Sequence, residues 1–244
     1  MTADTPQTRV VVSLVVIGNE VLSGKVDELN ARFLIGRLRD LGARLREVAF
    51  VEDEVGAIAE AVARVSARSD LVITTGGVGP THDDVTVSGV AQALGVPVVE
   101  DPQILTLIGK HLAAAPGARR LARVPEGSTL MRGKRVPWPV IRCHNVWLFP
   151  GVPMMLQALF DDLSEHFGGS PTRYSDKLQL IVEESLICVT LDALVTRHLA
   201  VEVGSYPRRE GGVWRLELTF DGPDAGAVDA ARNEAALLFS AWLS

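Results

Sequence analysis

One stretch of the chain decides which fold the sequence predicts: TTGGVGPTHDDVT, residues 74–86. It follows the end of an apolar run, residues 71–75, that is typical of a buried strand. It leads into residues 85–94, where apolar side chains recur at helical spacing. Its closely spaced glycines let backbone N–H groups approach an anion, and the N terminus of the next helix favours negative charge. The stretch therefore predicts a phosphate-binding turn between a strand and a helix.

The same alternation continues toward the N terminus. Residues 10–17 and 44–51 are rich in β-branched and other apolar side chains. Each run precedes a segment with apolar residues at helical spacing, residues 27–41 and 55–65. Strands that alternate with helices predict a mostly parallel sheet with helices on both faces.

Beyond the third predicted helix the pattern becomes irregular. Residues 104–111 predict a helix, residues 113–127 an irregular excursion, and residues 129–142 a hairpin. A short apolar strand at residues 146–149 follows, and the Pro-Gly-Val-Pro motif after it introduces a helix that extends through about residue 166. These elements complete a large domain.

A linker is predicted at residues 168–171, where glycine, serine and proline follow one another. Beyond it, the pattern predicts a strand, a helix, two strands and a final helix. The expected fold is therefore α/β. It consists of a three-layer α/β/α domain at residues 1–168 and a small α+β domain of βαββα order at residues 169–244.

The composition fits a globular protein and argues against several classes of partner. Of the 244 residues, 47% are hydrophobic, which is enough for a sizeable core, and the formal net charge is -6. Proteins that bind nucleic acids usually display clustered Lys and Arg, so we expect no nucleic-acid partner. The basic stretch at residues 119–135 is interpreted as a solvated loop.

No segment resembles a signal peptide, and no apolar run approaches the ~20 residues needed to span a bilayer. We therefore expect no membrane association and a cytoplasmic location. The two cysteines, Cys143 and Cys188, lack the spacing of a zinc site, and His144 beside Cys143 lacks a third ligand. Trp138 is interpreted as a packing residue.

Two adjacent carboxylates, Asp83 and Asp84, complicate simple phosphate binding. Beside a phosphate they would repel the ligand unless a divalent cation or a proton lies between them. A Mg²⁺-like ion that bridges carboxylate and phosphate oxygens removes this conflict. The alternative is that Asp83 caps the following helix and Asp84 lies in its first turn. We predict the metal-binding role for the pair, and we interpret His82 as a solvent-facing loop residue.

Further acidic residues follow the first two predicted strands. Glu20, with Asn19, comes after the first strand, and Asp53 comes after the second. The carboxyl ends of parallel strands meet at one edge of a sheet, where the ligands of open α/β sheets bind. Each position alone would fit an ordinary turn or the start of a helix. Acidic groups at three strand ends on one edge favour a ligand site.

Several segments resemble the molybdopterin-binding domain family that includes the N-terminal domain of competence/damage-inducible protein A. They are IGNE at residues 17–20, Asn30, DE at residues 53–54, TGGVGPTHDDVT at residues 75–86 and FPGVP at residues 149–153. This resemblance covers residues 10–165. A closer resemblance, to the molybdopterin-binding-like domain of eukaryotic bifunctional FAD synthases, rests on residues 81–86, 146–151 and 204–207.

The resemblance implies a site and a chemistry. Family members bind pterin or nucleotide phosphates with the Gly-rich segment and two acidic strand ends, which correspond to Asp53 and Asp84. Asp83 is shared with the competence-protein branch, which resembles metal-dependent pyrophosphatases acting on ADP-ribose-like nucleotides. The FAD synthase branch is associated with FAD hydrolysis. Asn19 departs from the Thr or Asp that is common in the family, which puts the affinity for a metal in question.

We therefore expect Asp53, Asp83 and Asp84 to act in catalysis, and Asp83 and Asp84 to hold a divalent ion, Mg²⁺, Mn²⁺ or Co²⁺. The ligand is expected to be a small-molecule nucleotide or a pterin, with molybdopterin as one candidate. The residues expected to contact it are Gly18, Asn19, Glu20, Thr75, Gly76, Gly77, Gly79, Pro80, Thr81, Thr86, Pro150 and Gly151.

The sequence and the resemblance thus predict a metal-dependent nucleotide pyrophosphatase acting on ADP-ribose- or FAD-like dinucleotides. Two alternatives stay open: a module that binds molybdopterin or a nucleotide without turnover, and adenylyl transfer in molybdenum cofactor biosynthesis. These 244 residues contain neither the amidohydrolase domain nor the adenylyl-transfer domain of the two branches, so FAD synthesis is not expected. We expect a homodimer or a homotrimer.

Overall fold

The computed structural model describes residues 9–111, 117–168 and 174–244. The chain forms two compact units, residues 1–170 and 171–244. The predicted linker, apart from Gly168, lies outside the described residues, as do residues 113–116 of the predicted irregular excursion. Within the described ranges, no helix is long and apolar enough to cross a membrane.

Unit 1 contains a six-stranded sheet, in the part of the chain that the structure describes, with helices around it. The strands of unit 1, six of which form this sheet, are β1 (Val11–Ile17), β2 (Arg44–Val51), β3 (Leu71–Thr75), β4 (Val98–Glu100), β5 (Arg123–Pro125), β6 (Thr129–Met131), β7 (Val140–Cys143) and β8 (Val146–Phe149). Its helices are α1 (Asn19–Leu22), α2 (Asn30–Asp40), α3 (Val55–Ser66), α4 (Thr86–Leu94), α5 (Pro102–His111) and α6 (Pro153–Asp162).

The strands of this sheet follow the order β2-β1-β3-β8-β7-β6. The first four are parallel to one another, whereas β7 is antiparallel to both of its neighbours. The prediction of a mostly parallel sheet is therefore confirmed. The short strands β4 and β5 form a separate antiparallel pair.

Alternate residues of the central strand β1 serve two different apolar layers. Val12, Leu14 and Val16 pack with α2 and α6 on one face, while Val15 and Ile17 pack with α3, α4 and α5 on the other. Both faces of the strand are buried, which explains why its sequence is a continuous apolar run rather than an alternating one. Unit 1 is therefore a three-layer α/β/α domain, as predicted.

A glycine sets how closely α3 and α4 approach. A Cβ atom added to Gly89 would lie 2.5 Å from Cγ2 of Ile58 and 3.2 Å from the carbonyl oxygen of Val55. Since a side chain at this position has no room, α4 contacts α3 through its backbone. The N terminus of α4 follows the turn at the end of β3, so this contact lies next to that edge of the sheet.

Unit 2 is a small domain with its own core. Its elements are β9 (Tyr174–Leu180), α7 (Cys188–Arg197), β10 (Glu202–Glu210), β11 (Val213–Gly222) and α8 (Ala225–Leu238). The strands form an antiparallel sheet of order β10-β11-β9, and the buried side chains include Leu178, Leu218 and Phe220. The predicted βαββα order agrees with these elements.

The structure differs from the sequence prediction at a few points. Residues 19–22 form the short helix α1, which the sequence analysis did not predict, and α2 begins at Asn30 rather than near residue 27. Part of the predicted irregular excursion forms β5, which pairs with β4. That pairing joins residues more than twenty positions apart, and local periodicity contains no information about it.

We expect the substitution Gly89→Ala to destabilise unit 1 by about 1–3 kcal/mol, because the added methyl group forces α3 and α4 apart. Gly36→Ala is the matched control. Gly36 also lies in a helix, but a Cβ there meets no atom within 4 Å, so we expect a gain of about 0.4–1 kcal/mol. Urea denaturation followed by circular dichroism measures both changes. Equal midpoints for the two variants would contradict the close contact.

A second prediction concerns the ion cluster of unit 2. His198 Nε2 lies 2.7 Å from Oε2 of Glu234, and Arg197 Nε donates to Oε1 at 2.8 Å. The hydrogen bond from His198, and then Arg197, lower the pKa of Glu234 below its ordinary value of 4.5. Above pH 4.5, the ordinary pKa, this carboxylate stabilises the folded state fully. The folded state loses this stability as the pH falls below 4.5 and through the lowered pKa of Glu234.

We accordingly expect Glu234→Gln to lose less stability than the wild type between about pH 6 and about pH 3. Urea denaturation at both pH values measures the difference. Asp229→Asn, an exposed position in α8 that is outside this cluster, serves as the control. Parallel pH dependence of Glu234→Gln and the wild type would exclude the linkage.

Candidate functional site

The glycine-rich turn after β3 lies close to the end of β1. Gly76 and Gly77 have positive φ angles of 97° and 62°. A Cβ atom on Gly76 would lie 2.1 Å from the carbonyl oxygen of Ile17, which is far inside van der Waals contact. Glycine is therefore required here for two reasons, the left-handed backbone conformation and the close approach of two chain segments.

Thr86, the first residue of α4, holds this turn in place. Its hydroxyl donates to the Gly76 carbonyl oxygen at 2.8 Å, and its backbone N–H donates to the Gly77 carbonyl oxygen at 3.0 Å. The side chain is fully buried. Thr86, which the sequence places among the ligand contacts, thus has an internal role: it shapes the turn.

Asn30 joins three parts of the same edge. Its Nδ2 donates to Oγ1 of Thr75 at 3.0 Å and to the carbonyl oxygen of Gly151 at 2.8 Å. The residue is 7% exposed, and its Oδ1 atom has no hydrogen-bond partner among the described residues. The start of α2, the end of β3 and the turn after β8 are therefore held together by one buried amide.

Asp83 and Asp84 converge on Thr81. Thr81 Oγ1 lies 2.6 Å from Oδ1 of Asp83 and 2.5 Å from Oδ2 of Asp84, and the Thr81 backbone N–H donates to Oδ2 of Asp84 at 2.7 Å. No side chain caps α4 by a hydrogen bond, which disfavours the alternative that Asp83 is a helix cap. The Thr81 hydrogen bond is the main cause of the lowered pKa of Asp83.

Asp53 has a different environment. Its Oδ2 accepts from the backbone N–H of Asn19 at 2.7 Å, and Oδ1 of Asn19 accepts from the Asp53 N–H at 3.4 Å. This reciprocal pair fixes the start of α1. Across residues 9–111, 117–168 and 174–244, no group of three or more His, Cys, Asp or Glu side chains is arranged to hold a metal ion. Asp53, Asp83 and Asp84 therefore do not form a three-carboxylate metal site among the described residues.

Two cavities open at this edge. The larger has a volume of about 280 Å³, and the residues that line it include Val78, Gly79, Thr81, His82, Asp84, Val87, Ser88, Arg120, Arg123, Trp138 and Pro150. The smaller has a volume of about 80 Å³, and the residues that line it include Glu20, Asn30, Thr75, Gly76 and Gly151. The predicted ligand contacts are thus divided between two neighbouring spaces.

The remaining predicted contacts lie at or near the same edge. Gly18 is buried beneath α1, and its N–H donates to the Val51 carbonyl oxygen at 3.2 Å. Pro80 is exposed, and Gly77 lies against Thr86.

Two weaker candidates from the sequence have environments that argue against a chemical role. The His82 side chain is 92% exposed, which agrees with a loop residue that faces solvent. Cys143 is buried, and burial raises the pKa of its thiol, so it has no activated thiolate.

Sequence reasoning missed several residues of the larger cavity. Arg120 and Arg123 were assigned to a solvated loop, and Trp138 to packing, yet all three line the cavity. Trp138 does also pack against the core beside the sheet. The only sequence signal for these cavity residues is the cluster of arginines. That cluster lies far along the chain from the glycine-rich turn, so the sequence does not indicate that the cluster and the turn share a cavity.

The fold and its edge define a class of protein: a three-layer α/β/α domain with a glycine-rich turn and a ligand-sized cavity at the carboxyl ends of its parallel strands. The chain belongs to the family described as probable molybdopterin binding domain, which matches residues 13–167. Residues 172–242 match the family described as FAD synthase, middle domain.

Similar proteins include members of both branches. A probable FAD synthase from Caenorhabditis briggsae is 29% identical, over 93% of this chain and 49% of that protein. A CinA-like protein from Myxococcus xanthus is 30% identical, over 90% of this chain and 56% of that protein. The chain thus spans about half the length of these two relatives.

A solved structure supports the fold of unit 1. The crystal structure of the protein CinA, of unknown function, from Thermoplasma acidophilum is 30% identical, with a TM-score of 0.61. The match covers 65% of this chain and 98% of that one.

We expect Asn30→Ala to destabilise unit 1 by about 1–3 kcal/mol, because it leaves Oγ1 of the buried Thr75 without its donor and also removes the hydrogen bond to the Gly151 carbonyl oxygen. Asn19→Ala is the matched control. Its exposed side chain accepts one long hydrogen bond, so we expect a loss below about 1 kcal/mol. Urea denaturation compares the variants. Equal losses for both would show that Asn30 does not hold the strand ends together.

Proposed function

We propose that the chain is a metal-dependent nucleotide pyrophosphatase acting on ADP-ribose- or FAD-like dinucleotides. The observation that carries this proposal is that Asp84 lines the larger cavity after the glycine-rich turn, while Asp83 shares the hydroxyl of Thr81 with it. Family membership favours a pterin or nucleotide ligand. The named FAD synthase relative favours the nucleotide.

The cavity has suitable groups for binding a phosphate. Gly79 and Thr81 line one side, and Val87 and Ser88, in the first turn of α4, line another. Backbone N–H groups at a helix N terminus bind anions, because they lack partners within the helix and lie at the positive end of its dipole. A phosphate in this space would lie close to Asp84.

The acidic pair suits a hard cation. Thr81 Oγ1 lies within hydrogen-bond distance of both carboxylates, but a hydroxyl has one proton and donates to one of them at a time. The hydroxyl oxygen therefore lies close to the second carboxylate without a proton between them. A cation bound there would relieve the repulsion between these two oxygen atoms. Mg²⁺ commonly uses one or two carboxylates together with substrate phosphates, so two aspartates are enough.

Asp83 and Asp84 would hold this ion, which neutralises phosphate charge and polarises the phosphorus centre when it is bound. Oδ2 of Asp84 is engaged by Thr81, while Oδ1 has no hydrogen-bond donor among the described residues. We assign Oδ1 the role of orienting the attacking water and accepting its proton.

The reaction is a hydrolysis. A bond forms between the water oxygen and phosphorus, and the bridging P–O bond breaks. ADP-ribose then gives AMP and ribose 5-phosphate, and FAD gives AMP and FMN. The groups of the cavity act through positioning and electrostatic stabilisation, which dominate phosphoryl chemistry.

One observation favours a second candidate, a module that binds a nucleotide or molybdopterin without turnover. Asp53, the third expected acid, is paired with Asn19 and lies outside the acidic pair. A site with only two carboxylates binds a metal–nucleotide complex without necessarily activating water. Adenylyl transfer in molybdenum cofactor biosynthesis would require transfer of AMP to molybdopterin, which the same purified protein tests.

The test incubates the protein with ADP-ribose or FAD and with Mg²⁺, Mn²⁺ or Co²⁺, and product formation is followed by chromatography. We expect Asp84→Asn to reduce kcat by about 100-fold or more. The asparagine oxygen can still accept from the Thr81 N–H, so the loop and the thermal stability should be preserved.

Asp192→Asn, an exposed position in α7, serves as the control and should retain wild-type activity. If the wild type binds the dinucleotides but releases no product with any of the three metals, the pyrophosphatase proposal is wrong and the binding module is favoured. If it releases product equally well in the presence of excess EDTA, the reaction does not depend on a metal. The expected homodimer or homotrimer is tested separately by light scattering.

A further inference from the structure

The larger cavity has a basic side that the proposed hydrolysis does not use. Residues 118–122 form a short 3-10 helix, which β5 follows, and Arg120 and Arg123 of this segment line the cavity. Nη1 of Arg120 lies 3.4 Å from the carbonyl oxygen of Pro80 and donates to it. The basic segment is thus attached directly to the turn that contains Asp83 and Asp84.

The arginines of this segment differ in how they are paired. Arg119 lies outside the cavity lining and forms an ion pair with Glu100, at 2.7 Å. Arg120 and Arg123 line the cavity, and neither forms an ion pair within 4.0 Å among the described residues. After the hydrogen bond from Arg119, the charge of Arg123 also helps to lower the pKa of Glu100, which is its partner in the β4–β5 pair. Arg120 and Arg123 are therefore the cations of this segment that an anionic ligand in the cavity can meet.

Trp138 provides a flat apolar surface in the same space. It is partly buried, packs against the core beside the sheet and also lines the cavity. Aromatic side chains in such a position stack on nucleobases, and this stacking tolerates different bases. Its own packing against the core holds the ring in place before any ligand arrives.

The size of the cavity limits what it can hold. Its volume of about 280 Å³ lies just below the range for ligand pockets, about 300–1,000 Å³. This volume suits a nucleoside diphosphate better than a complete dinucleotide. The second half of a dinucleotide would then extend outside the cavity.

We propose that the cavity binds the ADP half of its ligand, with Arg123 and Arg120 on the phosphate farther from the adenosine and Trp138 stacked on the adenine ring. This inference rests on the proposed function only for the choice of a nucleotide as the ligand. It requires binding and not hydrolysis. Guanidinium groups bind phosphate oxygens in a bidentate manner, which gives Arg123 a greater effect on a diphosphate than on a monophosphate.

The experiment measures the affinities of ADP, AMP and inorganic pyrophosphate for the full chain by calorimetry, with Mg²⁺ present. Arg123→Gln is expected to weaken ADP binding by about tenfold or more and AMP binding by less than about threefold. The matched control is Arg132→Gln, an exposed arginine whose side chain contacts Gln103 and does not line the cavity. It should leave all three affinities unchanged.

Trp138→Leu is expected to weaken ADP and AMP binding by about tenfold and to leave pyrophosphate binding unchanged. Trp138→Phe keeps an aromatic ring and should retain ADP affinity within about threefold, which separates stacking from a loss of folding. ADP should also quench tryptophan fluorescence in the wild type, and this quenching should disappear in Trp138→Phe.

Several outcomes would overturn the inference. It is wrong if the wild type does not bind ADP, if Arg123→Gln behaves like Arg132→Gln, or if Trp138→Leu weakens pyrophosphate binding as much as ADP binding. Hydrolysis is scored separately. A wild type that binds ADP as described but hydrolyses no dinucleotide leaves this inference in place and removes the proposed enzyme. If hydrolysis depends on Asp84 but neither Arg123→Gln nor Trp138→Leu changes the affinity for ADP, the proposed enzyme stands and this inference is wrong.

Discussion

The close approach of Gly76 to the end of β1 is the constraint on which the site depends. The space between the Gly76 backbone and the Ile17 carbonyl oxygen admits no side chain. The turn after β3 is therefore pressed against the edge of the sheet, and Thr86 and Asn30 hold it there through buried hydrogen bonds. Because the turn is fixed, the residues that follow it project from the edge as a defined loop, and α4 begins in a defined place.

The charges of the site follow from this arrangement. The loop after the turn places Asp83 and Asp84 around one threonine hydroxyl, which concentrates negative charge beside a helix N terminus. A segment from another part of the chain places arginines across the cavity. An anionic ligand would therefore meet a helix terminus and guanidinium groups, while a cation would meet the carboxylates. The cavity suits a ligand that contains both, such as a metal-bound nucleotide.

The two units have separate cores and separate family matches. Unit 1 matches the molybdopterin-binding family, and residues 172–242 match the middle domain of FAD synthases. The described residues named above as lining the two cavities belong to unit 1. Unit 2 has a small antiparallel sheet with helices and an ion cluster around Glu234. Substitutions in the Glu234 cluster therefore change the stability of unit 2, whereas substitutions in the cavity lining change the site in unit 1.

The sequence by itself determined the architecture and the acidic turn. Continuous apolar runs identify strands that are buried on both faces, and the glycines before Asp83 and Asp84 mark a turn at a strand end. These signals are local, since they depend on neighbours along the chain. Only the tertiary structure decided that Asp53 pairs with Asn19 and that Arg123 and Trp138 line the same cavity as Asp84. Those relations join residues far apart in sequence, and they arise from sheet order and strand pairing, which local patterns do not encode.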